Sequence, residues 1–165
     1  MTRRRIAAST AGVDKAVYAY AREDTAWWEG ELGRPLEYGT FGENLTLEGI
    51  DVSGALVGER WRAGSTLLEV SEPRLPCWKL GVKMGDPGFL KRFAKALRPG
   101  AYLRVIEEGE LEAGDSIDLV ERPDHDVSVR LIAEAVLGDH ALAPRLLAAS
   151  ALSAEYRRWA ERAAA

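Results

Sequence analysis

The sequence predicts a barrel or sandwich of short strands with peripheral helices, followed by a small helical appendage. Three observations carry that expectation. Gly49, Gly54, Gly58 and Gly64 punctuate brief segments, Glu59 to Arg62 and Ser65 to Ser71 among them, as turns between short strands do. Helices are read on either side of them, over Ala21 to Leu32 and from Asp86-Pro87 to Leu97. The run Arg122-Pro123-Asp124-His125-Asp126 then marks a boundary, beyond which the chain reads as helical. The 165 residues suit one domain, expected over 1–122, with a three-helix unit over 127–165.

Taken in order, Arg3, Arg4 and Arg5 form a basic run, read as a solvated end with phosphate contact as the sharper alternative. Alternation from Lys15 to Ala21 predicts a strand with its tyrosines on one face. A helix over Ala21 to Leu32 follows, stopped by Gly33 and Pro35, with Trp27, Trp28 and Leu32 able to share an apolar face. The Gly39-Thr40-Phe41-Gly42 stretch permits a tight turn that presents Glu43 and Asn44. Asp86-Pro87 supplies an N-cap and first-turn proline for a helix through Leu97, ended by Pro99-Gly100, with Lys91, Arg92 and Lys95 on its wet face. Ala101 to Glu107 and Ser116 to Val120 read as paired strands. The tail divides into helical segments at 127–137, 141–150 and 153–163, with breaks at Gly138-Asp139 and near Ser150 and Ser153.

Composition narrows the function classes. Hydrophobic residues at 47% and charged residues at 29% are ordinary for a globular chain. A net charge of −4 argues against a broadly basic nucleic-acid surface. One cysteine excludes an intrachain disulfide and fits a reducing compartment. No apolar run approaches the ~18 residues of a membrane span, and no secretory signal is visible, so a cytoplasmic protein is expected. No phosphate-loop motif is present, and His125 and His140 lack zinc-ligand spacing.

The chemistry converges on Glu72-Pro73-Arg74-Leu75-Pro76-Cys77-Trp78-Lys79-Leu80. Pro76 fixes its own φ and pushes Leu75 into an extended conformation, and Pro73 does the same to Glu72. Arg74 and Lys79 place two cations close in sequence to the only cysteine, and a nearby cation favours the thiolate. Leu75 and Trp78 oppose this if they bury the sulfur. A lone cysteine is commonly a small buried hydrophobe, so the residues alone leave both readings open.

Four stretches in order resemble the MOSC domain family, and within it the YiiM-like hydroxylaminopurine-resistance subgroup. They are GVDKAVYAY from Gly12, FGENLTLEGI from Phe41, LEVSEPRLPCWKL from Leu68 and AYLRVIEEGELEAGD from Ala101. The resemblance implies a closed, mainly antiparallel β-barrel, the molybdenum cofactor, and Cys77 as catalytic residue and metal ligand. It assigns Lys15, Asn44, Arg74 and Arg104 to the cofactor or substrate, Asn44 at the pterin and the cations at phosphate or substrate oxygen. The implied activity is reduction of N-hydroxylated bases or amines, with an electron-donor protein as partner and a homodimer as candidate assembly. Nucleic acid and membrane are not expected partners. The alternatives are a sulfur carrier using a Cys77 persulfide and a non-enzymatic cofactor-binding or interaction module. Relatives carry further strands and a His-Gly-Gly ahead of Asp14-Lys15, where this chain reads Thr10-Ala11-Gly12, so it is expected to be shortened or to have a misplaced start.

Overall fold

The computed structural model describes residues 2–8 and 12–165. Thr10 and Ala11, where the resemblance looks for the His-Gly-Gly, lie outside them. The strands are β1 (Arg4–Ile6), β2 (Val17–Ala21), β3 (Leu45–Leu47), β4 (Arg60–Ala63), β5 (Thr66–Pro73), β6 (Ala101–Glu107), β7 (Gly109–Leu111) and β8 (Ile117–Glu121). The helices are α1 (Arg22–Leu32), α2 (Trp78–Met84), α3 (Phe89–Ala96), α4 (Val129–Leu137), α5 (Ala143–Leu146) and α6 (Ala154–Ala164). Six strands form one sheet in the order β3-β2-β6-β5-β4-β8, parallel between β2 and β3 and antiparallel elsewhere.

This corrects the expected closed, mainly β barrel. The sheet is an open half-barrel with β3 and β8 as edges, and helices hold more of the described residues than strands do. The gap is filled by irregular chain rather than by a ladder. Val52 and Ala55, in the loop between β3 and β4, and Val129 of α4 join the sheet's own core. Val129 N–H donates to the Ala55 carbonyl at 2.9 Å, and Arg130 N–H to that of Ser53 at 2.8 Å. Loop and helix therefore close apolar space that a strand ladder would close in a full barrel.

Two strand pairings also differ from expectation. β6 pairs with β2 and β5, whereas β8 pairs with β4, so the two segments read as partners are not neighbours. Between them, β7 pairs with β1. Arg4 and Arg5 of the N-terminal basic run lie in a strand and are exposed, as a solvated end would be, with Arg5 Nη2 3.5 Å from Glu108 Oε2. α3 starts at Phe89 rather than at Pro87, and Asp86 Oδ1 accepts from Gly88 N–H at 2.8 Å in the turn before it.

The C-terminal helices build a second core from Leu131, Ile132, Leu146, Leu152 and Tyr156, and Val57 from the sheet side belongs to it. They pack on the sheet as well: Val57 N–H donates to the Val127 carbonyl at 3.0 Å. A third cluster joins Tyr18, Tyr20, Trp28, Phe41, Leu80, Phe89 and Phe93 under α1, α2 and α3. Complete burial of such a side chain is worth about 1.5–3 kcal/mol. This aromatic block fixes the mount of the functional segment.

Candidate active site

The site begins where β5 runs out. All eight residues of β5 are buried, and Pro73 and Pro76 then hold the chain extended until it can turn. Cys77, at φ −131° and ψ 160°, is the N-cap of α2, a helix the sequence reading does not anticipate. Leu80 and Met84 bury one side of α2 in the aromatic block, and Gly85 ends it in the left-handed conformation that glycine tolerates. The sulfur is left partly exposed.

Arg74 Nη2 lies 3.8 Å from Cys77 Sγ. Burial pushes the thiol up, but the Leu80 N–H, the Arg74 guanidinium and the Lys79 N–H outweigh it and hold the thiol below its usual range. The Leu80 N–H makes its geometric bond to the Cys77 carbonyl, at 3.0 Å, so we assign the larger part of this effect to Arg74. Two expectations change here. The Lys79 ammonium lies 6.0 Å from the Trp78 ring centre rather than at the sulfur, and Trp78 is 67% exposed rather than burying it. Among the described residues, one cation therefore serves the thiol.

Arg74 is itself positioned by the Phe41-Gly42-Glu43-Asn44 loop and by β2. Its guanidinium stands 5.3 Å over the Tyr18 ring. Gly42 has φ +80°, and a Cβ there would stand 3.3 Å from Arg74 Nη1, so glycine serves both the turn and the close approach. Glu43 knots the loop by accepting from Gly39 N–H at 2.8 Å and Phe41 N–H at 3.0 Å. Asn44 Oδ1 accepts from Tyr18 N–H at 2.8 Å, while Asn44 N–H donates to the Tyr18 carbonyl at the same distance. Its carbonyl thus braces β2, and its amide NH₂ is the part left for a ligand.

Lys15 sits in a 3₁₀ turn, Val13–Lys15, just ahead of β2. Its ammonium is 3.1 Å from Glu72 Oε1 and 6.0 Å from the Tyr102 ring centre. Tyr102 is in register with Tyr18, and their rings are 5.1 Å apart. Lys15 and Cys77 therefore flank one tyrosine pair, Lys15 beside Tyr102 and Arg74 with Cys77 beside Tyr18. Two surface cavities lie elsewhere. One, of about 370 Å³, is lined by Trp27, Trp28 and Arg92 among others, and one of about 340 Å³ by Asp51, Glu59 and Trp61 among others.

Glu72 and the tail are the residues that sequence reasoning missed. The Glu72 side chain is only 2% exposed and lies against Lys15, with Ser153 at the N-cap of α6 on its other side. Burial raises the Glu72 carboxyl above its ordinary value despite Lys15. For Lys15, burial lowers the ammonium, but Glu72 outweighs it and the net shift is upward. The two directions agree physically: the half-exposed lysine loses little hydration, and the enclosed carboxylate loses much. Glu72 stands within the cysteine motif, but nothing in its spacing marks it as buried.

Arg104 does not join this group as a ligand-binding cation. Its Nε donates to Asp14 Oδ1 at 2.6 Å, Nη1 to Glu69 Oε1 at 2.8 Å and Nη2 to the Ala151 carbonyl at 2.9 Å. Two carboxylates occupy the fork that a phosphate would need. It ties β6 to β5 and to the tail.

A MOSC domain model matches residues 7–118, well over half of the chain. The chain belongs to the MOSC domain family. It is 37% identical to the uncharacterized protein YflK of Bacillus subtilis over 119 residues, 72% of this chain and 54% of YflK. It is 36% identical over 118 residues to a protein named "Reductase" from Gibberella moniliformis, 68% of this chain but 21% of that protein. Protein YiiM of Escherichia coli is 32% identical over 153 residues, 89% of this chain and 68% of YiiM. The crystal structure of YiiM from Geobacillus stearothermophilus superposes with a TM-score of 0.91 at 34% identity, covering 99% of this chain and 85% of that one. The chain is a YiiM-like MOSC protein. It spans about half the length of YflK and about a fifth of the Gibberella reductase.

Proposed function

We propose that this MOSC protein binds the molybdenum cofactor through Cys77 and reduces N-hydroxylated bases or amines. The observation that carries the reading is the Arg74 guanidinium 3.8 Å from a partly exposed Sγ. A buried structural cysteine has no use for such a partner. The family is associated with the molybdenum cofactor, and one relative bears the name reductase.

The donor set fits that group. Among the described residues, no three His, Cys, Asp or Glu side chains gather as metal ligands, so a bare ion would find too few donors. A metal that arrives inside an organic cofactor needs only one soft protein ligand, which the Cys77 thiolate supplies. Arg74 would keep the sulfur ionised and, with Lys15, face anionic oxygens, while the Asn44 amide would meet the pterin edge. Arg104 leaves this set. When bound, the cofactor supplies two-electron reduction of an N–O bond. In the net reaction R–NHOH gains two electrons and two protons, giving R–NH₂ and water, and a reduced donor protein loses the two electrons. Lys15, ionised at neutral pH, can donate a hydrogen bond to the oxygen that departs.

The test is turnover of an N-hydroxylated purine with a chemically reduced donor. Wild-type protein should reduce it, and Cys77→Ser should not while keeping the wild-type Tm, because a hydroxyl is a poor soft-metal ligand of similar size. Full turnover by the mutant would make Cys77 structural. The same ionised thiol favours one competing reading, a sulfur carrier. Intact mass spectrometry showing a sulfur adduct on Cys77, without bound molybdenum, would select it.

A further inference from the structure

The chain around Cys77 differs in charge from the rest of the molecule. From Arg74 to Arg98 every charged residue except Asp86 is basic, in a chain whose net charge is −4. This stretch contains α2 and α3, joined through Gly85–Gly88, with Gly81 of α2 against Leu90 of α3. Arg98 is tied to Asp24 at 2.5 Å and Arg92 stands 3.7 Å from Asp86. Lys79, Lys91 and Lys95 are exposed, and among the described residues none of them makes an ion pair. Lys91 and Lys95 lie one turn apart on α3.

The same hairpin exposes large apolar side chains that its packing does not use. Leu80 and Met84 anchor α2, whereas Trp78 and Val82, one turn apart, are 67% and 70% exposed. Lys79 flanks them and is exposed, while the Lys83 ammonium donates to the Gly39 carbonyl. An exposed tryptophan and valine on α2, next to a helix α3 that carries exposed lysines, have the composition of an interface centre with a charged rim. It starts at the residue next to Cys77.

We infer that the α2–α3 face is the docking surface for an acidic electron-donor protein, with Trp78 and Val82 at its apolar centre and Lys79, Lys91 and Lys95 steering the approach. This rests on the reductive reading, which requires two electrons from outside. The donor must bring its redox group close to Cys77, which is the N-cap of α2. Redox encounters bury little area and depend on charge complementarity for rate and orientation. A positive face on an acidic protein selects an acidic partner and turns the rest of this chain's surface away from it.

Biolayer interferometry on cofactor-free protein tests the surface without any turnover. The probes are a purified acidic [2Fe–2S] ferredoxin and a purified acidic flavodoxin. At least one should bind saturably and weaken about tenfold or more between low and physiological salt. Trp78→Ala should weaken it about tenfold, and Lys91→Glu with Lys95→Glu should slow association. All three side chains are exposed, so each variant should keep the wild-type Tm. Cys77→Ser should dock as wild type, which separates failure of this surface from failure of the cofactor assignment. The inference is overturned if neither probe binds or if the charge reversals change nothing. Preference of the face for an oligonucleotide or for anionic phosphatidylserine vesicles also overturns it.

Discussion

Arg74 and Arg104 sit on neighbouring paths of the same sheet, one just beyond β5 and the other within β6, yet their surroundings are opposite in kind. Arg104 is 12% exposed and meets the Asp14 and Glu69 carboxylates and a carbonyl from the tail. Arg74 meets a tyrosine ring and a thiol, and among the described residues it pairs with no carboxylate. An arginine enclosed by carboxylates is already neutralised and holds structure together. One that faces a sulfur keeps its charge available, and the charge acts on the sulfur's ionisation. Both looked alike in sequence.

The sharpest way to break this contrast is Arg104→Ala. It leaves Asp14, 39% exposed, without its arginine and Glu69 with Arg60 alone, and should cost about 1–3 kcal/mol. For a chain of this size that lowers Tm by roughly 2–12 °C. Thermal unfolding checks it, and the alkylation rate of Cys77 in the folded mutant should stay at the wild-type value. A Tm near wild type would mean the pair is not structural.

Arg74→Ala should act in reverse. The folded thiol titrates below its unfolded value, so the ionised sulfur contributes stability above about pH 8.5 and loses it as pH falls through the depressed folded value. Removing Arg74 should move the midpoint of the alkylation rate against pH upward and slow alkylation near pH 7 severalfold. An unmoved midpoint would assign the depression to the start of α2 instead.

Glu72→Gln sharpens the comparison at the buried end of the site. Because the folded carboxyl titrates above its unfolded value, its contribution is intact below about pH 4.3 and is lost as pH rises through the raised folded value. The mutant should therefore gain in Tm relative to wild type as pH rises toward 8, while Lys15, observed by NMR, titrates lower than in wild type. The smallest effect belongs to Arg62, which pairs with Glu107 at 2.6 Å with both side chains exposed. Arg62→Ala should leave Tm unchanged within error, since solvent already screens that pair.

These residues also show what a sequence can disclose. The prolines around Cys77, the glycine at the Phe41 loop and the helical spacing of Phe89, Phe93 and their neighbours are local signals, and the mount, the turn and α3 follow from them. Strand partners are not local. Which strand lies beside β6 depends on how chain some thirty to eighty residues away returns to the sheet, and the open half-barrel depends on Val52 and Val129 filling a gap. The same holds for charge. Arg104 is saturated because Asp14, Glu69 and Ala151 converge on it from three parts of the chain, and Trp78 is exposed because α2 turns its other side to the aromatic block.

We propose that Cys77 holds a molybdenum-bearing cofactor. Elemental analysis of freshly purified wild-type and Cys77→Ser protein, matched for Tm, tests it most directly. We predict molybdenum stoichiometric with the chain in the wild type and absent from the mutant. Molybdenum absent from both, or retained equally by the mutant, would contradict the assignment.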